Sequence, residues 1–229
     1  VSLAKFGVDF NSQMEQYQTS FEVMTGDAEK AVEITERLKD TAAKTPFGLQ
    51  DLAETTQLLM NYGLTADAAM GSMEMLGDIS QGSAEKMNRI AMAYGQMSSL
   101  GKVQLEDIKQ MIEAGFNPLQ EISEATGESM ESLYARISDG TLAVDEITAS
   151  MQRSTSEGGK YFQSMEKQSQ TLSGQFSTFQ DNFSAFAGEV VEGITPALSS
   201  AMDMMNKMFA DQTLLNMLSS LFVVLGDIV

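Results

Sequence analysis

Apolar side chains recur every three to four residues along nearly the whole chain, and glycine or proline interrupts this pattern at short intervals. The segment KTPFGLQDLAETTQLLMNYGL, residues 44–64, is one such unit, with a Pro-Phe-Gly break, a leucine-rich stripe and a glycine stop. A sustained alternation of apolar and polar residues, typical of half-buried strands, is not found. The sequence therefore predicts an all-α fold of short helices between Gly and Pro breaks, which must pack on one another because each is too short to be stable alone.

Longer amphipathic helices are predicted near both ends of the chain. At 100° per residue, each places its large apolar residues within an arc of about 80°. The first stripe is Phe6, Phe10, Met14, Tyr17, Phe21 and Met24, and the second is Leu172, Phe176, Phe179, Phe183, Phe186 and Val190. We expect each stripe to lie on the core of its own domain, although the matched spacing also allows the two to pair with each other or with copies on neighbouring subunits. The candidate partner or self-packing seam is therefore Phe6, Phe10, Tyr17, Phe21, Phe176, Phe179, Phe183, Phe186 and Val190.

The breaks suggest a division into four parts. These are an N-terminal amphipathic helix (1–26), a compact helical domain (27–157), an aromatic-striped helix with a following helix (158–210), and an apolar segment (211–229) that starts a helix continuing further. Gly26 stops the first helix, Asp27 caps the second, and the flexible sequence of residues 156–159 predicts a hinge. The residues singled out as structural motifs at breaks are Thr45, Pro46, Phe47, Gly101, Gly115, Asn117 and Pro118. Because the chain begins with valine and stops within an apolar run, we expect it to be a piece of a longer protein.

Composition excludes several kinds of chemistry. The absence of cysteine excludes disulfides and thiolate sites, and the absence of histidine removes the commonest general base near neutral pH. No carboxylate loop with calcium-ligand spacing or glycine-rich phosphate loop is present, so no cofactor or metal is predicted. Net charge is −18, which repels phosphate backbones and anionic lipid surfaces. Free nucleic acid is therefore not an expected partner.

Weak catalytic patterns have structural explanations. Two Ser-x-x-Lys tetrads, Ser83–Lys86 and Ser164–Lys167, match the spacing of some serine hydrolases but lack the accompanying motifs. Ser83 is better interpreted as a helix N-cap. The carboxylate pairs Glu106–Asp107 and Glu121–Glu124 could serve as general acid and base. However, carboxylates are also common in the first turns of helices, where they interact favourably with the helix dipole, and on polar helix faces, where they are solvated. No catalytic residue is predicted.

Two other function classes stay open at this stage. Residues 105–142 resemble a helix-turn-helix with Thr126–Ile137 as its recognition helix, but this stretch has eight acidic and only two basic residues, so we interpret it as a packing unit.

The apolar run Leu214–Val229 and the phenylalanine stripes motivate a membrane-active or pore-forming segment, but 16 positions fall short of the roughly 20 that a span needs. The methionines of residues 60–97 suit an irregular core or an adaptable groove for a partner helix.

Several segments together resemble the tail tape measure proteins of tailed bacteriophages and prophages. They occur in the family's order from about residue 21 to residue 196: FEVMTGDAEKA, TPFGLQDL, QLLMNYGL, LGDISQGSAEKMNRIAMAYGQM, GKVQLEDIKQMIEAGFNPLQEIS, GGKYF and QTLSGQFSTFQDNF. The resemblance implies a mostly helical structural protein without catalytic residues, which occupies the tail tube, sets tail length during assembly and leaves the virion with or before the DNA.

From this resemblance we expect a virion tail protein that assembles in the cytoplasm of the bacterial host. Its implied partners are tail tube, tail tip or tail assembly proteins, with self-association as a trimer or hexamer as a further expectation. A continuous helix of this length would extend about 340 Å at 1.5 Å per residue, which the repeated breaks forbid. We therefore expect a folded docking domain of the ruler protein rather than the extended ruler itself, with membrane contact only through sequence near or beyond 214–229.

Overall fold

The fold of the chain is given by a computed structural model, which describes residues 3–193, 200 and 203, with the side chains of 3–6, 172, 173, 176 and 177 excepted. The described part contains helices and turns without a strand, so the predicted all-α class is confirmed. The helices are α1 (Leu3–Thr25), α2 (Ala28–Ala42), α3 (Leu49–Asn61), α4 (Ala66–Ser80), α5 (Ala84–Leu100), α6 (Leu105–Glu113), α7 (Pro118–Thr126), α8 (Met130–Asp139), α9 (Val144–Thr155), α10 (Ser164–Ser169) and α11 (Leu172–Glu192).

Short polar side chains start most of these helices, as the sequence indicates. Asp27 accepts a hydrogen bond from the backbone N–H of Lys30 at 3.0 Å, and Ser83 accepts one from Lys86 at 3.3 Å. Each bond satisfies a backbone donor that has no partner inside its own helix. Both predicted caps are therefore confirmed, and the Ser83–Lys86 spacing is explained by helix initiation.

Two predicted glycine breaks fall where the backbone turns left-handed. Gly101 ends α5 with φ of 63°, and Gly115 follows α6 with φ of 104°. A side chain is disfavoured in this region, so glycine ends each helix without strain. The chain can then reverse, which lets α5 and α6 pack against each other.

The chain divides into two compact units, which are residues 13–183 and residues 1–12 with 184–229. In the larger unit α3 packs against α2, α4 and α5, while α9 packs against α4 and α7. Its largest fully buried side chains are Phe21, Phe47, Phe116, Ile34, Leu38, Leu52, Leu59, Met70, Met73, Leu76, Met87 and Ile90. Core filling thus explains several of the crowded methionines, although Met92 remains 39% exposed.

The predicted hinge at residues 156–159 lies in the turn between α9 and α10. Gly158 has φ of 83°, and a Cβ at Gly159 would overlap the carbonyl oxygens of Arg153 and Ser154. Two residues later the buried Tyr161 donates from its hydroxyl to the carbonyl oxygen of Gly115 at 3.2 Å. The left-handed backbone explains glycine at position 158 and close backbone approach explains it at position 159, while a hinge motion here stays a prediction.

Glycine 95 allows α5 to approach the end of α3, because a Cβ there would overlap the ring of Tyr62. We expect Gly95→Ala to lower the free energy of unfolding by about 1–3 kcal/mol through overpacking. The matched control is Gly71→Ala within α4, where no atom would contact the added Cβ. Its better helix propensity should raise the free energy of unfolding by up to about 1 kcal/mol. Urea unfolding measures both, and equal effects of the two variants would contradict this packing.

A candidate protein-docking groove

A groove of about 850 Å³ opens in the larger unit, between the end of α2, helix α4, helix α10 and the first half of α11. Amide, hydroxyl and charged side chains line it together with two large apolar residues. Its lining residues are Ala43, Lys44, Thr45, Asp78, Gln163, Met165, Glu166, Ser169, Gln170, Gln175, Thr178, Phe179 and Asn182. We call this feature the docking groove.

The break after α2 forms one wall of the docking groove. The side chain of Phe47 is only 1% exposed and anchors this loop in the core. As a result, Thr45 is held close to α11. The hydroxyl of Thr178 donates to the carbonyl oxygen of Thr45 at 3.3 Å. The hydroxyl of Thr45 itself is buried, and no hydrogen-bond partner for it occurs in the described part of the chain. A buried hydroxyl without a partner is unfavourable, so this wall has unused hydrogen-bonding capacity.

Helix α10 forms the opposite wall and is held by Asp78 of α4. The carboxylate of Asp78 accepts a hydrogen bond from the backbone N–H of Met165 at 2.8 Å. The side chain of Met165 fills the space that a Cβ at Gly77 would occupy. Burial raises the pKa of Asp78, which the N–H groups of Met165 and Ser164 oppose by stabilising the charged form.

Two phenylalanines on α11 form an exposed rim at the groove. Phe179 and Phe183 are 65% and 37% exposed, and their rings stack with centroids 6.2 Å apart at an interplanar angle of 24°. Exposed aromatic surface is costly in water and typical of protein contact sites. In the smaller unit, Phe186 and Val190 are also exposed, at 56% and 48%.

The first predicted stripe has a different environment from the second. Phe21 is completely buried in the larger unit, whereas Phe10 and Tyr17 are partly buried. Burial raises the pKa of Tyr17, with the nearby carboxylates Glu54 and Asp51 adding to the effect and the Gln13 amide opposing it. The side chains of Phe6 and Phe176 lie outside the described part. Whether the stripes form a partner seam stays a prediction for the residues that are exposed.

In the smaller unit, α1 and α11 approach through small residues rather than through the exposed phenylalanines. The side-chain amide of Asn11 donates to the carbonyl oxygen of Gly188 at 3.0 Å, and a Cβ at Gly7 would overlap the carbonyl of Ala187. A Cβ at Gly188 would crowd Phe10. Sequence reasoning missed this small-residue face, although glycine and alanine at helical spacing along α11 were a signal for close packing.

The other residues singled out at breaks have structural roles. Pro46 follows Thr45 in the loop before α3, and Asn117 caps α7 by accepting from the N–H of Gln120 at 3.2 Å. Pro118 occupies the first position of that helix, where its missing N–H costs nothing. Just before it, Phe116 is buried and meets the ring of Tyr161 edge-on at 6.1 Å.

The considered acid-base pairs do not converge on one cavity. Asp107 is buried in the first turn of α6, where burial and the neighbouring Glu106 raise its pKa. Glu121 and Glu124 instead line a separate open groove with Arg153 and Lys160. In the other tetrad, the ammonium group of Lys167 donates to the carbonyl oxygen of Phe162 at 2.7 Å, which gives this lysine a structural role.

In the supposed recognition helix of residues 126–137, the one basic side chain already makes ion pairs. Arg136 of α8 contacts Glu128 at 2.9 Å and Glu146 at 2.6 Å, and both carboxylates raise its pKa. Two ion pairs leave this guanidinium poorly suited to contact phosphate. In the described part of the chain, no group of three or more acidic side chains is arranged to hold a metal ion. None of the described helices is long and apolar enough to cross a membrane, and residues 214–229 lie outside the described part.

Packed helices joined by turns, without a strand in the described part, define an all-α protein. The family model of the tape measure protein matches residues 6–192, which is most of the chain. The chain therefore belongs to the tape measure protein family, and the resemblance seen in its sequence is confirmed.

Curated relatives from phages of Lactococcus have the same description. The chain is 26% identical over 176 residues to a probable tape measure protein of Lactococcus phage p2, covering 73% of this chain and 16% of the relative. It is 23% identical over 176 residues to a tape measure protein of Lactococcus phage F4-1, covering 73% of this chain and 44% of the relative. The chain thus spans less than half the length of these relatives. No solved structure matches it significantly.

The unpartnered hydroxyl of Thr45 provides a test of the groove wall. We expect Thr45→Val to raise the free energy of unfolding by up to about 1 kcal/mol, because a methyl group replaces a buried hydroxyl without a hydrogen bond. Thr178→Val is the matched control and should lower it by about 0.5–1.5 kcal/mol, since a bond to the carbonyl of Thr45 is lost. Thermal unfolding distinguishes the two. A Thr45→Val variant less stable than Thr178→Val would contradict the described geometry.

Proposed function

We propose that this chain is a structural domain of a phage tail tape measure protein, acting in tail assembly and tail-length determination through protein contacts. The observation that carries the proposal is the pair of exposed, stacked phenylalanines at the docking groove of a member of this family. The proposed partners are tail tube, tail tip or tail assembly proteins. The proposed location is the virion tail, after assembly in the bacterial cytoplasm.

The composition of the docking groove suits a polypeptide partner. Gln163, Gln170 and Asn182 offer amide groups that can both donate and accept, as a peptide backbone requires. Phe179 and Met165 supply apolar surface beside these groups. An aromatic anchor next to polar groups that fix orientation is the usual composition of a strong protein contact.

Charge favours a selective contact over general adhesion. Helix α11 contains three acidic residues, Asp181, Glu189 and Glu192, and no basic residue. The exposed aromatic rim therefore lies on a weakly charged helix of a strongly acidic chain. Acidic surfaces elsewhere repel DNA in the tail lumen, while the rim remains available to an apolar partner surface.

The short helices favour a docking role over that of an extended ruler. In the larger unit α3 packs against α2, α4 and α5, and α9 packs against α4 and α7, so this unit cannot measure length by its own extension. We propose that tail length is set by other parts of the longer protein, while this domain holds it to its partners. A role in DNA ejection, which would require release of those contacts, is part of the proposal. No catalytic role is proposed for this chain.

The rim can be tested by introducing charge. We expect the double variant Phe179→Asp, Phe183→Asp to weaken binding to a purified tail protein by at least about 30-fold. Aromatic side chains that become buried in a protein complex each commonly contribute about 2 kcal/mol or more to the free energy of binding. The matched control is Tyr134→Asp on α8, a 42% exposed aromatic residue away from the groove. Calorimetry against separately purified tube, tip and assembly proteins measures the binding. Unchanged binding by the double variant to a protein that binds the unaltered chain would overturn the proposal.

A further inference from the structure

Residues 162–183, here called the arm, are part of the larger unit, and few of the arm's described side chains are buried. Helix α10 has no buried residue, and among the described side chains of the arm only Gly174 is buried. Polar contacts are prominent instead: Asp78 accepts from the N–H of Met165, and Thr178 donates to the carbonyl of Thr45. A change in the charge of a buried group on the arm therefore adds directly to the free energy of its docking.

Asp181 is the unfavourable group on the arm. Its Oδ2 atom is buried, and no hydrogen-bond partner for it occurs in the described part of the chain. It lies about 200° around α11 from Phe179, and thus on the side away from the exposed rim. The charged group that acts on it is Asp51 of α3, which is also an acid.

The surroundings of this carboxyl pair contain more negative than positive charge. One carboxylate oxygen of Asp51 accepts from the N–H of Gly48 at 3.3 Å, and Glu54 lies on the same helix. Tyr17 of α1 is close enough to both of these acids for them to raise its pKa. Lys44 lies in the docking groove on another side of α11, and no described ion pair joins it to Asp181.

Burial and the charge of Asp51 raise the pKa of Asp181 to about 6 from an ordinary value of 3.8. Burial also raises the pKa of Asp51, partly offset by the N–H of Gly48 and supported by Glu54. A raised carboxyl pKa means that the docked state prefers the neutral form. Docking is therefore strongest below the ordinary pKa, weakens as pH rises towards about 6, and stays weak above it.

We propose that the carboxyl of Asp181, whose buried Oδ2 atom has no hydrogen-bond partner in the described part of the chain, makes docking of the arm dependent on pH, with ionisation releasing the arm. Because α10 and α11 form walls of the docking groove, release would also open that groove. This second consequence rests on the proposed docking function, whereas the release itself does not. The device would let the same chain present a closed or an open groove in different surroundings.

Asp78 sets the acidic limit of this behaviour. Its ionised carboxylate accepts the N–H groups of Met165 and Ser164, so protonation weakens its hold on α10. Burial raises the pKa of Asp78 as well. Acid therefore weakens docking of the arm through Asp78, whereas it strengthens docking through Asp181. The effect of Asp181 is therefore measured from pH 5 upwards, and Asp78→Asn identifies the contribution of the other carboxyl.

Hydrogen exchange of the complete 229-residue chain tests the proposal. After correction for the intrinsic pH dependence of exchange, we expect protection of residues 172–183 to fall about tenfold between pH 5 and pH 7.5. A pKa displaced by about two units permits about a hundredfold over the whole range from the ordinary pKa to the raised one, and about tenfold of this lies above pH 5. Asp181→Asn should retain high protection at both pH values, because its neutral amide cannot ionise. Asp51→Asn removes a negative charge that raises the pKa of Asp181, so the fall in protection should occur at lower pH in this variant.

The matched control is Glu189→Gln, which removes the same charge from an exposed position of α11 and should follow the unaltered chain. Thermal unfolding at pH 5 shows whether Asp181→Asn is folded. Protection independent of pH in the unaltered chain, or the same pH dependence in a folded Asp181→Asn variant, would overturn the proposal. The Phe179→Asp, Phe183→Asp variant tests only whether the groove binds a partner protein. If that docking function fails, the pH dependence of hydrogen exchange is still expected.

Discussion

Mutual burial of apolar helix faces is the interaction on which the rest of this structure depends. The middle helices run from 6 to 17 residues, and helices of this size are marginal in water by themselves. Their stability comes from packing in the larger unit, where α3 contacts α2, α4 and α5. Caps at the helix ends and left-handed glycines at the breaks let the chain reverse often enough for this packing. A core built in this way needs no reactive side chain, which agrees with a chain lacking histidine and cysteine.

The surface features follow from where this packing stops. Phe21 and Phe179 belong to similar stripes, yet Phe21 is fully buried and Phe179 is 65% exposed. The arm that carries Phe179 has few buried residues among its described side chains and makes polar contacts to Thr45 and Asp78. The docking groove lies between the arm and the helices packed in the core. In the proposed function and the proposed response to pH, contact and release are two properties of this one arm.

Local features could be predicted from the sequence because neighbouring residues determine them. Asp27, Ser83 and Gly101 act on backbone groups within a few positions, and the apolar period indicates the helices directly. The groove could not be predicted, because it joins Thr45 to Thr178 across the chain. The effect of Asp51 on the pKa of Asp181 and the small-residue face around Gly188 depend on tertiary structure in the same way. A stripe shows that a face is apolar, but its spacing does not show whether the chain itself or a partner covers it.

The central claim is that the aromatic rim of α11 contacts another tail protein. Its most direct test is a photo-crosslinking amino acid placed at Phe179 in the full-length protein during tail assembly, followed by mass spectrometry of the crosslinked product. The account predicts a specific adduct with one tail protein, which is absent when the same group is placed at Tyr134. Assembled tails without any adduct from position 179, or with equal adducts from both positions, would contradict it.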